Sequence, residues 1–578
     1  MELGVYAIIG VGVIVAVAAF SRRLGIAAPI ILVLVGVGIS FLPGVPEVEV
    51  PYELILDVVL PPVLYAAALT VPITDFRRNL APIASLSIVL VVITALGSGF
   101  LLYTLLPHLN LAAGIALGAI ISPPDAVAAT SIGRRLGLPP RLLTLLEGEG
   151  LLNDATALVL LRSALAVVAG GIGTPWHVAT DFGYAVVVAV IIGLAAGIVT
   201  TWVRSRFTDA TLDTAISLIV PFVAFMPAEA LNASGVLAVV IAGLYVGGVG
   251  PRLLSAQARI NERINWGTVQ FLLENAVFLA IGLQIRFLVD HVNQSVLSIG
   301  ASVGIGLLAT AALIVIRFAW IVPLLAGMRR AVARREKRLL RQWLWLSYFR
   351  AHPVEKPRDA RRKRRAEQDY ARRRADLDHD RENQIDWRGG IALGWSGMRG
   401  VVTLAAAQSL PTDGSVPYRS QLILIAFTVA VASLVVQGGT LPWLIKLLRI
   451  PGVDADADGR DVARLLDEVS NAGLKALDDP REALGIEGEI DPDVLERVRQ
   501  STFLRSEVAW ERVRASDVPL DQRPHQLFMA LRRLVVDAER EKLVEEQRLG
   551  RYSTRALASV QTMLDLEDTR LRPPRAGH

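Results

Sequence analysis

Gly148-Glu149-Gly150-Leu151-Leu152-Asn153-Asp154-Ala155-Thr156 runs straight into Ala157-Leu158-Val159-Leu160-Leu161. A carboxylate opening such an apolar run lies inside a bilayer, where a lone charge is costly unless it is hydrated, paired or bound to an ion. Upstream, Ile121-Ser122-Pro123-Pro124-Asp125-Ala126-Val127 interrupts a second apolar stretch with two prolines and another acid. Two intramembrane acids, one beside a helix break, point to a cation or proton pathway.

The rest of the chain supports a membrane setting. Of its 578 residues, 53% are hydrophobic, and they fall into span-length blocks separated by short polar turns. That pattern predicts an all-α polytopic membrane protein. Candidate helices number about 13, starting near Val5, Ala27, Tyr52, Leu80, Leu111, Glu147, Asp181, Ala210, Ser234, Trp266, Val296, Arg388 and Pro417. The absence of cysteine excludes disulfides, thiolate metal sites and cysteine nucleophiles. The N-terminus has no basic region and no cleavage site that would mark a signal peptide.

Every second loop carries arginine: Arg22/Arg23, Arg77/Arg78, Arg134/Arg135/Arg141, Arg204/Arg206 and Arg252/Arg259/Arg263. The loops between are acidic or neutral, as in Glu47-Val48-Glu49, Pro107-His108-Leu109-Asn110 and residues 171–180, apart from Arg286 and Arg419. The positive-inside rule then expects the N-terminus outside a cell membrane and the C-terminus in the cytoplasm. Because the net charge of +5 comes from clusters flanking spans, no nucleic-acid partner is expected.

The domain reading follows. Residues 1–328 and 387–449 form a transmembrane domain in two parts, 329–386 a basic cytoplasmic insert, and 450–578 a helical cytoplasmic domain. The insert, Arg329 to Asp386, contains Arg361-Arg362-Lys363-Arg364-Arg365 and Arg372-Arg373-Arg374. It reads as positive-inside anchoring, with contact to anionic lipid as the sharper alternative. The tail opens on Asp454-Ala455-Asp456-Ala457-Asp458, then shows helical spacing at Val462-Leu465-Leu466-Val469 and Leu527-Leu531-Leu534-Val535.

Proline lacks an N–H and disfavours helix in the residue before it, so Pro123-Pro124 predicts an interrupted span. Broken helices in transporters present carbonyls and helix ends to ions. Asp125 falls at the N-terminus of the second half-helix, where an anion is favoured. The Pro124 carbonyl with the Asp125 and Asp154 carboxylates would make a hard-oxygen site for a small cation. Asn153 alternatively makes only an interhelical hydrogen bond, and Asp154 only an ion pair with Arg162. A glycine-rich stretch, Trp387-Arg388-Gly389-Gly390-Ile391-Ala392-Leu393-Gly394-Trp395-Ser396-Gly397-Met398-Arg399-Gly400, permits close packing or unwinding. Arg399 needs an anion or carbonyl partner, and Glu149 is the candidate. Glu274 and Arg317 also need partners and read as structural ion pairs, with gating as the alternative.

Ser122-Pro123-Pro124-Asp125-Ala126-Val127, Gly148-Glu149-Gly150-Leu151-Leu152-Asn153-Asp154 and Gly397-Met398-Arg399-Gly400 together resemble the bacterial sodium/proton antiporters of the electroneutral branch that includes animal sodium/proton exchangers. Leu60-Pro61-Pro62-Val63-Leu64-Tyr65 and Asp75-Phe76-Arg77-Arg78-Asn79 resemble that family's early signature. The resemblance covers about the first 330 residues and the segment from Arg388 to Leu448. It implies a homodimer whose protomers pair a dimerisation domain with a core of inverted repeats and crossed broken helices. It implies further that Asp154 binds cation and proton in competition, that Asp125, the Pro124 carbonyl and Gly150 complete the Na+ shell, and that Glu149 pairs with Arg399. Asn153 in place of a second aspartate marks electroneutral exchange. Three features depart from the family pattern: Gly150 where serine is usual, Pro124 and Ala126 where many relatives carry threonine and proline, and Ala66 where some carry glutamate.

The expected function is exchange of Na+, or alternatively K+ or another monovalent cation, for H+ by alternating access, serving pH homeostasis. No cofactor is expected, since Na+ and H+ are cargo. A cation channel is the runner-up. Enzyme readings fall away: Gly394-Trp395-Ser396-Gly397 has no histidine base in a span, and neither a nucleotide-binding G-x-x-x-x-G-K-[ST] nor a metalloenzyme H-E-x-x-H motif occurs.

Overall fold

Asn110, Asp209, Ser234, Ser255 and Asp386 each accept a hydrogen bond from a backbone N–H one turn on, so the polar turns between apolar blocks become helix starts. A computed structural model describes the chain outside residues 1, 25–26, 44, 46, 49, 171–174, 208, 293–296, 352–356, 383, 414, 451, 453–454, 479–490, 515–523, 550–553 and 572–578. Among the sequence expectations, Glu49, residues 171–174 of the neutral loop, Asp454 and the Arg361 and Arg362 side chains lie outside the described residues.

The described elements are all helical, and the chain forms two compact units, Met1–Ile450 and Pro451–His578. In the first, α1 (Glu2–Leu24), α2 (Ala28–Ser40) and α3 (Leu60–Thr70) lead to α4 (Leu80–Leu105), which contains a π-helical stretch at Ser85–Leu90. Next come α5 (Leu111–Ile121), α6 (Ala126–Arg135) and α7 (Pro140–Val168). They are followed by α8 (Pro175–Arg204), α9 (Ala210–Ala230), α10 (Gly235–Leu253) and α11 (Ala256–Leu283). The last group is α12 (Ile299–Ala351), α13 (Pro357–Glu382), α14 (Trp387–Trp395), α15 (Val401–Gln408), α16 (Arg419–Ser433) and α17 (Gly439–Leu448). Nine described helical segments are long and apolar enough to cross a membrane, and three shorter apolar helices accompany them.

Several helices begin before the apolar block that announces them, because helical hydrogen bonding continues past the hydrocarbon into polar sequence. Thus α7 starts at Pro140 rather than near Glu147, and α11 at Ala256 rather than near Trp266. Two packing groups emerge. One is built on α2, α3, α8, α10 and α11, the other on α4, α5, α7, α12, α14, α15 and α16. In the first, Arg204 is fully buried instead of lying in a basic loop. It bonds Asp213 at 2.9 Å and Glu262 at 2.6 Å, joining α8, α9 and α11.

Nothing breaks the helix where its charge changes near residue 329, so α12 runs for 53 residues from the apolar span into the insert. Its partner α13 is basic in its first part and acidic near its end. The acidic end pairs inward: Asp376 accepts from Arg78 at 2.8 Å, and buried Asp380 accepts from Arg335 and from Arg141, the latter at 3.2 Å. Arg141 belongs to the first turn of α7, so the insert touches the helix that carries Asp154.

In the second unit, α18 (Ala455–Lys475) packs on α19 (Pro492–Arg514), and α20 (Pro524–Leu549) on α21 (Thr554–Leu571). Trp510 donates to Asp467 at 2.7 Å, and Arg540 bridges Asp565 and Asp568. Val462, Leu465 and Val469 are exposed, so their helical spacing marks a helix face that the unit itself leaves uncovered.

Candidate functional site

Pro123-Pro124 does interrupt its span: α5 ends at Ile121 and α6 starts at Ala126, with Asp125 as N-cap accepting from the Val127 N–H at 2.8 Å. The glycine-rich stretch breaks in the same way between α14 and α15, across Ser396 to Gly400. The two breaks meet. The Asp125 N–H donates to the Met398 carbonyl at 2.6 Å. Gly400 is required at this meeting point, because a Cβ there would overlap Asp125 Oδ2.

Exposed carbonyls at a half-helix C-terminus carry partial negative charge. Each break has an arginine there. Arg399 donates to the carbonyls of Ile121, at 3.1 Å, and Ser122, at 3.3 Å, at the end of α5, and also to Gly397. Arg317 of α12 donates twice to the Leu393 carbonyl near the end of α14, at 3.2 Å. The same guanidinium grips Glu149 with two bonds, at 2.5 and 2.8 Å.

This corrects the pairing of Glu149 with Arg399. Glu149 and Arg399 are both buried, but the bidentate partner of Glu149 is Arg317, and Arg399 is satisfied by carbonyls. The cause is steric as well as electrostatic: Gly397 leaves the room Arg317 occupies, since a Cβ there would lie 2.5 Å from Arg317 Cδ. Two further expectations change. Arg162 pairs with Glu229 at 2.5 Å and not with Asp154. Glu274 forms no ion pair among the described residues and instead accepts from Gln270 at 2.7 Å.

α7 brings the other site residues to the first break. Asn153, fully buried, donates its amide to the Pro124 carbonyl at 2.6 Å, leaving Asn153 Oδ1 buried without a partner. Gly150 faces Ala126, and a Cβ there would sit 2.5 Å from the Ala126 Cβ. Asp154 is buried and shares the electrostatic environment of Asp125. Neither aspartate has a basic partner within salt-bridge distance among the described residues. The site is thus an oxygen-rich crossing whose arginines are already committed elsewhere. Sequence reading did not find Ser433, which accepts from the Arg399 N–H at 2.9 Å and fixes the second break to α16. A lone serine in an apolar helix carries no signal of such a role.

Comparison with known proteins identifies the family. The sodium/hydrogen exchanger family, in its transmembrane part, matches residues 10–447. An uncharacterized Na+/H+ exchanger of Mycobacterium tuberculosis is 27% identical over 560 residues, 96% of this chain and 93% of its own. A sodium, potassium, lithium and rubidium/H+ antiporter of Bacillus subtilis is 28% identical over 73% of this chain and 58% of its own. The sodium proton antiporter MjNhaP1 of Methanocaldococcus jannaschii superposes with a TM-score of 0.56 at 17% identity, covering 78% of this chain and all of that one, so the two share a fold. The chain belongs to the sodium/hydrogen exchanger family: it is a multi-pass membrane antiporter of monovalent cations and protons, not an enzyme.

Proposed function

We infer that the chain exchanges Na+ for H+ one for one, with Asp154 as the carboxylate that cation and proton share. One observation carries this reading: two aspartates at the crossing lack a cationic partner among the described residues, while Arg399 and Arg317 are held by carbonyls and Glu149. Such carboxylates need an external cation or a proton. If the proton must leave before the cation binds, one site enforces exchange. Carrying either ligand leaves the same charge on the moving group, so membrane potential contributes little.

Oxygen for the cation comes from Asp154 and Asp125, from the orphaned Asn153 Oδ1, and from the second lone pair of the Pro124 carbonyl. Gly150 offers no hydroxyl, and water takes that position. Asn153, being neutral, adds no titrating group next to Asp154 on α7, which supports one-to-one stoichiometry. The matching arginines at the two half-helix C-termini favour an inverted-repeat core, with the α3–α10–α11 group as the dimerising part of a homodimer. Among the described residues, the nine long spans, three shorter apolar helices and the broken α14–α15 element are consistent with thirteen crossings. An odd number of crossings of a cell membrane and the basic loops support an N-terminus outside and a tail in the cytoplasm. Lys363, Arg364 and Arg372 to Arg374 on α13 suit anionic lipid headgroups.

Exchange of K+ is the second reading, favoured by the missing hydroxyl at Gly150 and by the four cations named for the Bacillus subtilis relative. In proteoliposomes, adding Na+ should discharge an acid-inside gradient without dependence on voltage, and Asp154→Asn should abolish the response. Exchange that persists in a folded Asp154→Asn protein sinks the site. Parallel runs with K+, Li+ and Rb+ decide the cation.

A further inference from the structure

The two packing groups meet along α7, which carries Asn153 and Asp154 and lies against α3, α8 and α10 of the first group. At one end of that seam Arg162 of α7 pairs with Glu229 of α9 at 2.5 Å. Arg162 follows Asp154 by eight residues, so it lies about 12 Å along the helix from the ion site. This end is the one away from the insert, because α7 runs toward Val168 from Arg141, which is clasped to Asp380. A second bond joins the groups at the same end. α14 begins just after the insert, so the end of α15 lies far from it, and there the Gln408 amide donates to Gln284 Oε1 at 3.1 Å. Gln284 directly follows α11 of the first group. At the insert end, by contrast, the ion pairs of α7 reach α6, through Glu147 and Arg134, and α13, through Arg141 and Asp380.

Glu229 is held ready for its contact. Its Oε1 accepts from the Gly235 N–H at 3.0 Å, at the start of α10, where an anion is favoured. Gly235 also leaves it room, since a Cβ there would lie 2.9 Å from Glu229 Cγ. The other oxygen, Oε2, is then free to take the Arg162 guanidinium. Asp57, just before α3, is near enough to interact electrostatically with both charges. The first group thus presents two carboxylates, one of them fixed by backbone, to a single arginine on the helix that bears the ion site. Stability of the fold does not account for this arrangement, because the Arg162 side chain is 52% exposed and exposed pairs contribute little. A small contribution is decisive where two states of a protein are finely balanced.

The geometry points to Arg162 and Glu229 as positioning residues of the exchange cycle: their ion pair, seconded by Gln408 and Gln284, closes the crossing at the end away from the insert and parts before Asp154 is reached from that side. The inference rests on the antiport reading above and adds the contact that sets the balance between the two faces. Alternating access shifts one group against the other around the ion site. A bond between the groups at one end favours the states closed at that end, and it is lost in the states open there. A pair as exposed as this one biases such an equilibrium about threefold.

The apparent KM for Na+ at the two membrane faces reads this balance, because each KM varies inversely with the fraction of protein open to that face. In full-length protein in vesicles of both orientations, Arg162→Gln should lower the ratio of the far-face KM to the insert-face KM about threefold. Glu229→Gln should do the same, and the double variant should go no further than either single change. A structural defect that weakens binding moves both KM values together and leaves their ratio alone. An unchanged ratio in Arg162→Gln, a change at a half-exposed side chain, overturns the proposal, as do additive shifts in the double variant. The two readings fail separately: exchange that survives in Asp154→Asn sinks the ion site, and the KM ratio of Arg162→Gln against the unaltered chain still judges the ion pair.

Discussion

Gly150 decides what can stand at the ion site, and the decision lies with Ala126 across from it. A serine at 150 would place its Cβ 2.5 Å from the Ala126 Cβ, so hydroxyl and methyl cannot coexist without separating α6 from α7. Overpacking of this kind costs about 1–3 kcal/mol. Gly150→Ser is therefore expected to lower thermal stability in detergent and to weaken exchange. Gly150→Ser combined with Ala126→Gly should regain most of both, giving a coupling energy of about 1 kcal/mol or more in a double-mutant cycle. At this scale the sequence was highly legible where chemistry was local: Pro123-Pro124 announced the break, and Asp125 announced the cap. It was silent on partners. Whether Glu149 meets Arg317 or Arg399 depends on which glycine leaves room for a guanidinium, and both arginines occupy equally apolar surroundings in the chain.

Among the elements, the two broken helices share one solution: an arginine binds the free carbonyls of each first half. The difference is that Arg317 also carries Glu149, so α12, α14 and α7 are tied by a single buried guanidinium. Removing one partner of a buried pair leaves an uncompensated charge, at a cost of about 3–5 kcal/mol. Glu149→Gln should lower the unfolding temperature of the detergent-solubilised protein sharply, and Glu149→Gln with Arg317→Met should lower it less than the two single changes summed. Span positions were readable from apolar blocks, because hydrocarbon thickness imposes length. Helix ends were not, since hydrogen bonding continues into polar sequence without a compositional mark. Arg204 illustrates the same limit: it reads as a basic loop residue, and only the approach of Asp213 and Glu262 from two other helices buries it.

For the molecule as a whole, the tail unit responds to pH on its own. Burial pushes the Glu511 carboxyl up, but hydrogen bonds from the His525 ring and from the backbone N–H groups of His525 and Gln526 outweigh it and hold the group below its ordinary value of 4.5. A depressed carboxylate lends stability that is complete above 4.5 and is lost as pH falls through the lower folded value. Hydrogen exchange of full-length protein should show α19 and the start of α20 losing protection in that acid window, and Glu511→Gln should remove the pH dependence. The long helix α12 has a different consequence. At 1.5 Å per residue its 53 residues reach roughly 80 Å, against a hydrocarbon layer of about 30 Å. Arg317 rides on the part that faces the site, Pro323 lies just beyond it, and Arg335 marks the stretch clasped to Asp380. Such a rod is an outrigger: a tilt of about 5° at the pivot would swing a tip some 50 Å away through roughly 4 Å. An angular change around the ion crossing would then appear as linear travel at the far end of α12, and a pair of spectroscopic labels on a cysteine-free chain tests for it.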